Sequence, residues 1–239
     1  MEKKPTISVV VPAFNEEKYL PRCLLSLKRQ TYPPLEIIVV DNNSQDKTAK
    51  VAQKFGAKVI FEKKQGIAHA RDAGFNAARG EIIARTDADG FVPPFWLEKI
   101  AKDFQDSQIV GVTGPIAFYD LSPFLNFASK YLYLFCFYLF RLVSGHHQFN
   151  GQNLALRKSV WQKISPSSEN FLLHEDVDLA CHACRLGKIL FDPSLLTFTS
   201  SRRFRQNIFE PTLGYALRGI YTLLYHHHPF SRGHCQKLS

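Results

Sequence analysis

Asp87 and Asp89 flank one alanine at the end of the run Glu81-Ile82-Ile83-Ala84-Arg85-Thr86-Asp87-Ala88-Asp89, where an apolar, strand-like segment stops. Side chains alternate along a strand, so both carboxylates project to one side and can share a divalent cation together with any phosphate that cation holds. An acid-x-acid triplet is equally an exposed turn when nothing accompanies it. Here it is accompanied. Glu16 and Asp41 follow two other apolar runs, where a carboxylate can accept hydrogen bonds from a nucleobase edge or a ribose. Glu16 also suits the first turn of a helix. Far along the chain, Glu175-Asp176-Val177-Asp178 supplies carboxylates for general-base work, or first-turn acids for a helix opening near His174.

These acids need elements to position them. Apolar runs at Ile7–Val11, Ile37–Val40, Lys58–Phe61 and Ile82–Ala84 alternate with amphipathic stretches at 16–29, 46–55, 67–79 and 95–105. The pattern is that of repeated βαβ units, and strands made almost wholly of Ile and Val predict a parallel sheet buried under helices on both faces. Pro93-Pro94 opens the 95–105 helix, and Gly56 and Gly80 close the two helices before it. Ligands of such sheets bind beyond the carboxyl ends of the strands. Three loops should therefore converge on one rim: Pro12-Ala13-Phe14-Asn15-Glu16, Asp41-Asn42-Asn43-Ser44 and Asp87-Ala88-Asp89.

Beyond residue 114 the alternation stops, and 115–150 and 200–239 are rich in aromatic residues and poor in acids. The expected organisation is one domain over 1–206, divided into a nucleotide-binding half (1–114) and an acceptor half (115–206) with an apolar helix at 124–143. A basic amphipathic C-terminal helix and tail follow at 207–239. The block Tyr131–Phe140 is apolar all round but shorter than the ~20 residues of a bilayer span. It reads as a helix lying in a membrane interface, a buried helix or an oligomer contact. Leu213, Leu217, Ile220, Tyr221 and Leu224 share one face of the C-terminal helix.

The 239 residues carry a net charge of +9 and 45% hydrophobic content, which excludes intrinsic disorder as a default and favours an anionic partner. Five scattered cysteines and a polar start, Met1-Glu2-Lys3-Lys4-Pro5, read as reduced thiols in a cytosol without a signal sequence. Cys181-His182-Ala183-Cys184 has the spacing of half a zinc site or of two cysteines on one helix face. His226-His227-His228 lacks identifiable partner ligands, and His146-His147 reads as loop surface. No glycine-rich phosphate loop follows the first strand, which disfavours nicotinamide enzymes and nucleotidyltransferases.

The motifs, in order, resemble glycosyltransferase family 2, the inverting nucleotide-sugar transferases of GT-A fold. Val9–Glu16 looks like that family's opening strand and loop, Val39–Thr48 like its second, and Gly66–Gly74, with Ala70-Arg71-Asp72, like its third. Asp87-Ala88-Asp89 falls at the metal motif, Gly151–Arg157 at the acceptor loop and Glu175–Leu179 at the catalytic acidic pair. The resemblance implies a Rossmann-like, mostly parallel sheet flanked by helices, with the aromatic-rich helical insertion and C-terminal helix appended. It implies a nucleotide site of Pro12, Ala13, Phe14, Glu16, Asp41, Arg71 and Asp87, filled by a UDP- or GDP-sugar. Asp89, with Asp87 on metal or ribose, would hold Mn²⁺ or Mg²⁺. Asp176 would be the base beside Glu175, Asn153 and Arg157 would border the acceptor, and Arg202 or Arg203 would clamp diphosphate. Asp72 departs from the asparagine usual in the family and calls for a partner in Arg71 or Arg85.

A processive synthase's Q-x-x-R-W motif is missing, so one transfer per encounter is expected. The acceptor implied is a lipid-linked or cell-envelope glycan at the inner face of the cytoplasmic membrane, reached through peripheral contact with anionic lipid. Nucleic acid is not expected as a partner, and the oligomeric state stays open. The alternatives are a polyprenyl-phosphate sugar synthase, in which Asp176 orients an acceptor oxyanion, and a catalytically silent nucleotide- or membrane-binding module.

Overall fold

The computed structural model describes residues 4–206 and 213–227. Met1–Lys3, much of the expected 207–239 tail, His228 and Cys235 lie outside the described residues. Elements β1 (Ile7–Ala13), α1 (Leu20–Lys28), β2 (Glu36–Asp41), α2 (Thr48–Lys54), β3 (Lys58–Phe61), α3 (Ile67–Ala77), β4 (Ile82–Arg85) and α4 (Trp96–Asp103) alternate as the apolar runs predict. Then come β5 (Ile109–Thr113), β6 (Ile116–Phe118), α5 (Pro123–Ser144), β7 (Leu154–Arg157), α6 (Lys158–Trp161), α7 (Glu175–Ala183), β8 (Lys188–Phe191), β9 (Thr197–Thr199), α8 (Arg202–Gln206) and α9 (Tyr215–His227).

Seven strands form one sheet in the order β3-β2-β1-β4-β7-β5-β8, and β6 pairs with β9 in a second, two-stranded sheet. Within the large sheet β7 alone runs antiparallel to its neighbours. Every residue of β1 is buried, and its side chains alternate between two cores. Val9 and Val11 pack with Leu24, Leu27, Trp96 and Ile100 of α1 and α4. Val10 packs with Ile38, Phe75, Leu179 and Ala180, on the face covered by α3 and α7. Each such aliphatic side chain contributes on the order of 1.5–3 kcal/mol. Strand order reverses at β1, with β2 on one side and β4 on the other, so a cleft opens above the β1 and β4 ends.

Gly56 ends α2 as expected, with φ of 71°. Gly80 serves a different purpose from the one expected. Helix α3 already stops at Ala77, and a Cβ on Gly80 would sit 2.5 Å from the Ser8 amide nitrogen, so glycine lets the chain pass close to β1.

Helix α5 is bounded by a Ser122 cap, Pro123 in the first turn and left-handed Gly145 after the last. Its only buried residue is Phe137, while Leu132 is 65% and Phe135 67% exposed, which corrects the buried-helix reading of 131–140. Helix α9 crosses it where a Cβ on Gly219 would lie 2.8 Å from the Phe140 ring, and Leu223 joins Val177 and Cys181 of α7 beside that ring. Leu217, Ile220, Tyr221 and Leu224 of α9 remain exposed. Among the described residues no helix is long and apolar enough to cross a membrane.

Candidate active site

The loop after β1 is folded by its own polar groups. Asn15 takes a left-handed φ of 54°, the Glu16 carbonyl accepts the Tyr19 and Leu20 amides, and the Glu16 amide donates to Thr48 Oγ1 at 2.8 Å. The loop after β2 is tied to it, since the Asn15 amide donates to Ser44 Oγ and the Gln45 amide to Asn15 Oδ1. Asp41 accepts the Ser44 amide at 3.0 Å, a local turn that fixes its carboxylate on the rim. Asn42 joins the third loop, donating to the Glu62 and Lys64 carbonyls and accepting the Gly66 amide. Pro12 and Ala13 are the last residues of β1, paired with Val40 and Asp41, and Phe14 beyond them is half exposed.

Arg85, the last residue of β4, organises the acids. Its side chain is 2% exposed, its Nη2 lies 2.9 Å from Glu175 Oε1 and 3.8 Å from Asp87 Oδ1, and its Nη1 lies 3.6 Å from Asp176 Oδ1. Thus Asp87 and the Glu175-Asp176 pair, separated widely in sequence, share one buried guanidinium. Glu175 and Asp176 occupy the first turn of α7 after the His174 cap. The Gly151 amide donates to Asp176 Oδ2 at 2.8 Å, and a Cβ at Gly151 would meet both Arg85 and Asp176 at 2.8 Å. Burial and the neighbouring Glu175 charge push the Asp176 carboxyl up to about 7, against the opposing pull of Arg85. Arg85 and Arg71 instead hold Glu175 below its ordinary range in spite of its burial.

Asp89 completes the rim. Arg202 Nε lies 2.9 Å from Asp89 Oδ2, its Nη2 reaches Glu16 Oε1, and its guanidinium stacks over the Tyr19 ring. Thr199 Oγ1 is 3.4 Å from Asp89 Oδ1, and Arg203 lies 3.9 Å from Asp87. Burial pushes Glu16 up to about 7 despite Arg202, and burial with the Asp87 charge raises Asp89. Asp87 Oδ1 and Glu16 Oε2 are buried without hydrogen-bond partners. Two hard carboxylates one residue apart, one with an unsatisfied oxygen, fit an octahedral oxygen-preferring cation such as Mg²⁺ or Mn²⁺.

Three expected site residues are placed elsewhere. Arg71 is completely buried behind the rim, bound to Asp72 at 2.7 Å and 3.6 Å from Glu175, so it backs the acidic pair where a phosphate contact was expected. This also gives Asp72 its partner. Asn153 is interior: its amide donates to the Pro115 and Leu195 carbonyls and accepts from Trp96 Nε1 at 2.9 Å. Arg157 stands at the other end of the sheet, where it pairs with Ile82 and donates to the Phe104, Asp106 and Ile109 carbonyls. Neither borders the cleft, so the acceptor position expected of both is corrected.

The sequence offered Arg85 only as a possible partner for Asp72 and Gly151 only as the start of the acceptor loop, and their contacts with the acidic pair were not read from it. A charged residue closing the buried run Ile82-Ile83-Ala84 was the available signal, since a buried cation requires acids around it. Cys181 and Cys184 follow the helix-face reading, the Cys184 thiol donating to the Cys181 carbonyl.

A doubly wound, mostly parallel sheet whose switch-point cleft is lined by carboxylates and arginines defines an α/β protein of GT-A type. The family model for Glycosyl transferase family 2 matches residues 8–165, and the chain belongs to that family. Glycosyltransferase AglE of Haloferax volcanii is 33% identical over 122 residues, covering 48% of this chain and 40% of AglE. Such matches span from 16% to 49% of the length of the curated relatives. Mannosyltransferase PcManGT from Pyrobaculum calidifontis, solved with GDP-Man and Mn²⁺, superposes with a TM-score of 0.67 at 20% identity, over 93% of this chain and 72% of that one. Glucosyl-3-phosphoglycerate synthase from Mycobacterium tuberculosis, solved with Mn²⁺, UDP and glucosyl-3-phosphoglycerate, gives 0.67 at 21% identity, over 92% and 79%. At these identities the two structures share the fold.

Proposed function

We propose that this chain carries the transferase site of a metal-dependent, inverting, non-processive glycosyltransferase that takes a sugar from a UDP- or GDP-sugar. The observation that carries the reading is the single buried guanidinium of Arg85 linking Asp87, beside the candidate metal ligand Asp89, to the Glu175-Asp176 pair. Asp87 and Asp89 would hold the cation, which when bound would supply Lewis-acid stabilisation of the leaving diphosphate. Glu16, Asp41 and Phe14, on the adjoining loops, receive the nucleoside, with Pro12 and Ala13 fixing the start of that loop. Arg202 and Arg203 meet the diphosphate, and Arg202 exchanges its contacts with Glu16 and Asp89 for phosphate oxygens.

Asp176 takes the proton of the acceptor hydroxyl as its oxygen attacks the anomeric carbon. The bond from that carbon to the phosphate oxygen breaks, and its electron pair leaves with the nucleoside diphosphate. Asp176 is suited to this because Gly151 fixes one oxygen while burial and Glu175 raise its basicity toward neutrality. Glu175, held by Arg85 and Arg71, supplies the charge that raises it. The acceptor proposed is a lipid-linked or cell-envelope glycan at the inner face of the cytoplasmic membrane, approached through the exposed apolar faces of α5 and α9.

Those faces favour a second reading in which the acceptor is a polyprenyl phosphate and Asp176 orients an oxyanion. Transfer of labelled sugar to polyprenyl phosphate against transfer to a neutral glycan separates the two. Hydrolysis of UDP- and GDP-sugars, measured with and without Mn²⁺, tests the enzyme itself. Metal-dependent turnover that Asp176→Asn abolishes is expected. Turnover in neither condition, with donor still bound, would make the chain a silent nucleotide-binding module.

A further inference from the structure

Behind the first turn of α7, three side chains from two helices meet away from the cleft. Asp178 and His182 lie one helical turn apart on α7, and His226 comes from α9. One oxygen of Asp178 and one nitrogen of each imidazole lie within 4.8 Å of one another. His226 Nε2 is 2.6 Å from Asp178 Oδ1, His182 Nδ1 is 3.6 Å from that oxygen and 3.0 Å from the Asp178 backbone carbonyl, a contact the metal would replace, and the two rings stand 5.0 Å apart at 87°, edge to face. Asp178 is 1% and His226 2% exposed, whereas His182 reaches solvent. The other carboxylate oxygen of Asp178 is held by the Ser167 amide at 2.7 Å, which turns Oδ1 toward the imidazoles.

We propose that Asp178, His182 and His226 bind a zinc-class transition metal that pins α9 onto α7. Two imidazoles and one carboxylate form an N₂O set, which selects Zn²⁺ over the oxygen-preferring Mg²⁺ and Mn²⁺ suited to Asp87 and Asp89. Three protein ligands leave a fourth position, and the solvent-facing side at His182 gives it access to water. A bound Zn²⁺ would also place a full positive charge against the buried Asp178 carboxylate. The consequence reaches the cleft, because α7, the helix onto which α9 is pinned, begins with Glu175 and Asp176. Existing contacts prepare the dock: Thr222 Oγ1 of α9 accepts the His174 amide at 2.7 Å, and Leu223 packs on Val177. This site does not depend on the glycosyltransferase reading.

The test uses the full chain, stripped with chelator and titrated with Zn²⁺ by calorimetry, with Co²⁺ absorption as a coordination probe. One Zn²⁺ per chain, a melting temperature that rises with Zn²⁺ and a tetrahedral Co²⁺ spectrum are expected. His182→Gln, at the most exposed ligand, should weaken binding by more than about 10-fold and lose that spectrum. Asp89→Asn should keep both, which separates this site from the cleft. Absence of zinc binding in the wild-type chain would overturn the proposal. So would unchanged affinity in both His182→Gln and His226→Gln, since the zinc would then sit on other histidines of the chain.

Discussion

Arg85 stands among three carboxylates that burial would otherwise set against one another. Arg85→Gln leaves Glu175 and Asp176 without their shared cation and should cost about 3–5 kcal/mol of stability, read by chemical denaturation. Arg85→Lys keeps the charge but not the fork that spans Glu175 and Asp176, so it should restore stability better than turnover. Gly151→Ala is expected to displace Asp176 and lower kcat while leaving donor affinity nearly unchanged, because the atoms nearest the added Cβ belong to that acid and to Arg85. Glu16, Asp41, Asp87 and Asp89 were readable from the sequence because an acid after a buried apolar run has one place to go. Arg71 was not, since which side of α3 it faces depends on how the helix seats on β1 and β2. Arg157 was misplaced for a related reason: β7 runs against its neighbours, so the end of that strand is at the opposite rim from the cleft.

The βαβ alternation set the first four strands and helices to within a few residues, and it weakened where α5 and the small β6–β9 sheet interrupt the pattern. Helix α4 offers a test of burial at this scale. Burial and the Asp192 charge push the carboxyl of Asp103, at its last turn, up to about 6, and its Oδ2 has no hydrogen-bond partner. An acid whose folded pKa lies above its unfolded value holds its proton more tightly in the native state. Its contribution to stability is full below about pH 4 and is lost as pH rises through about 6. Asp103→Asn should therefore be more stable than wild type at pH 8, by about 1 kcal/mol once partial exposure is allowed for, and equal to it at pH 4. Thermal melts across that range measure the difference.

Across the whole molecule, the proposed membrane setting of the acceptor rests on the net charge of +9 and the crossed, exposed faces of α5 and α9. Replacing Phe135 and Leu142, both largely exposed, by serine should reduce flotation with anionic liposomes several-fold and change folding stability by less than about 0.5 kcal/mol. Equal flotation of both proteins would remove α5 from the membrane reading. Asp87, Asp89 and Asp176 are proposed to serve one pocket with divided roles. The most direct test is calorimetric titration of UDP and GDP in the presence of Mn²⁺ into wild type, Asp89→Ala and Asp176→Asn. Mn²⁺-dependent binding should disappear in Asp89→Ala and persist in Asp176→Asn. Undiminished Mn²⁺-dependent binding by Asp89→Ala would contradict that division of roles.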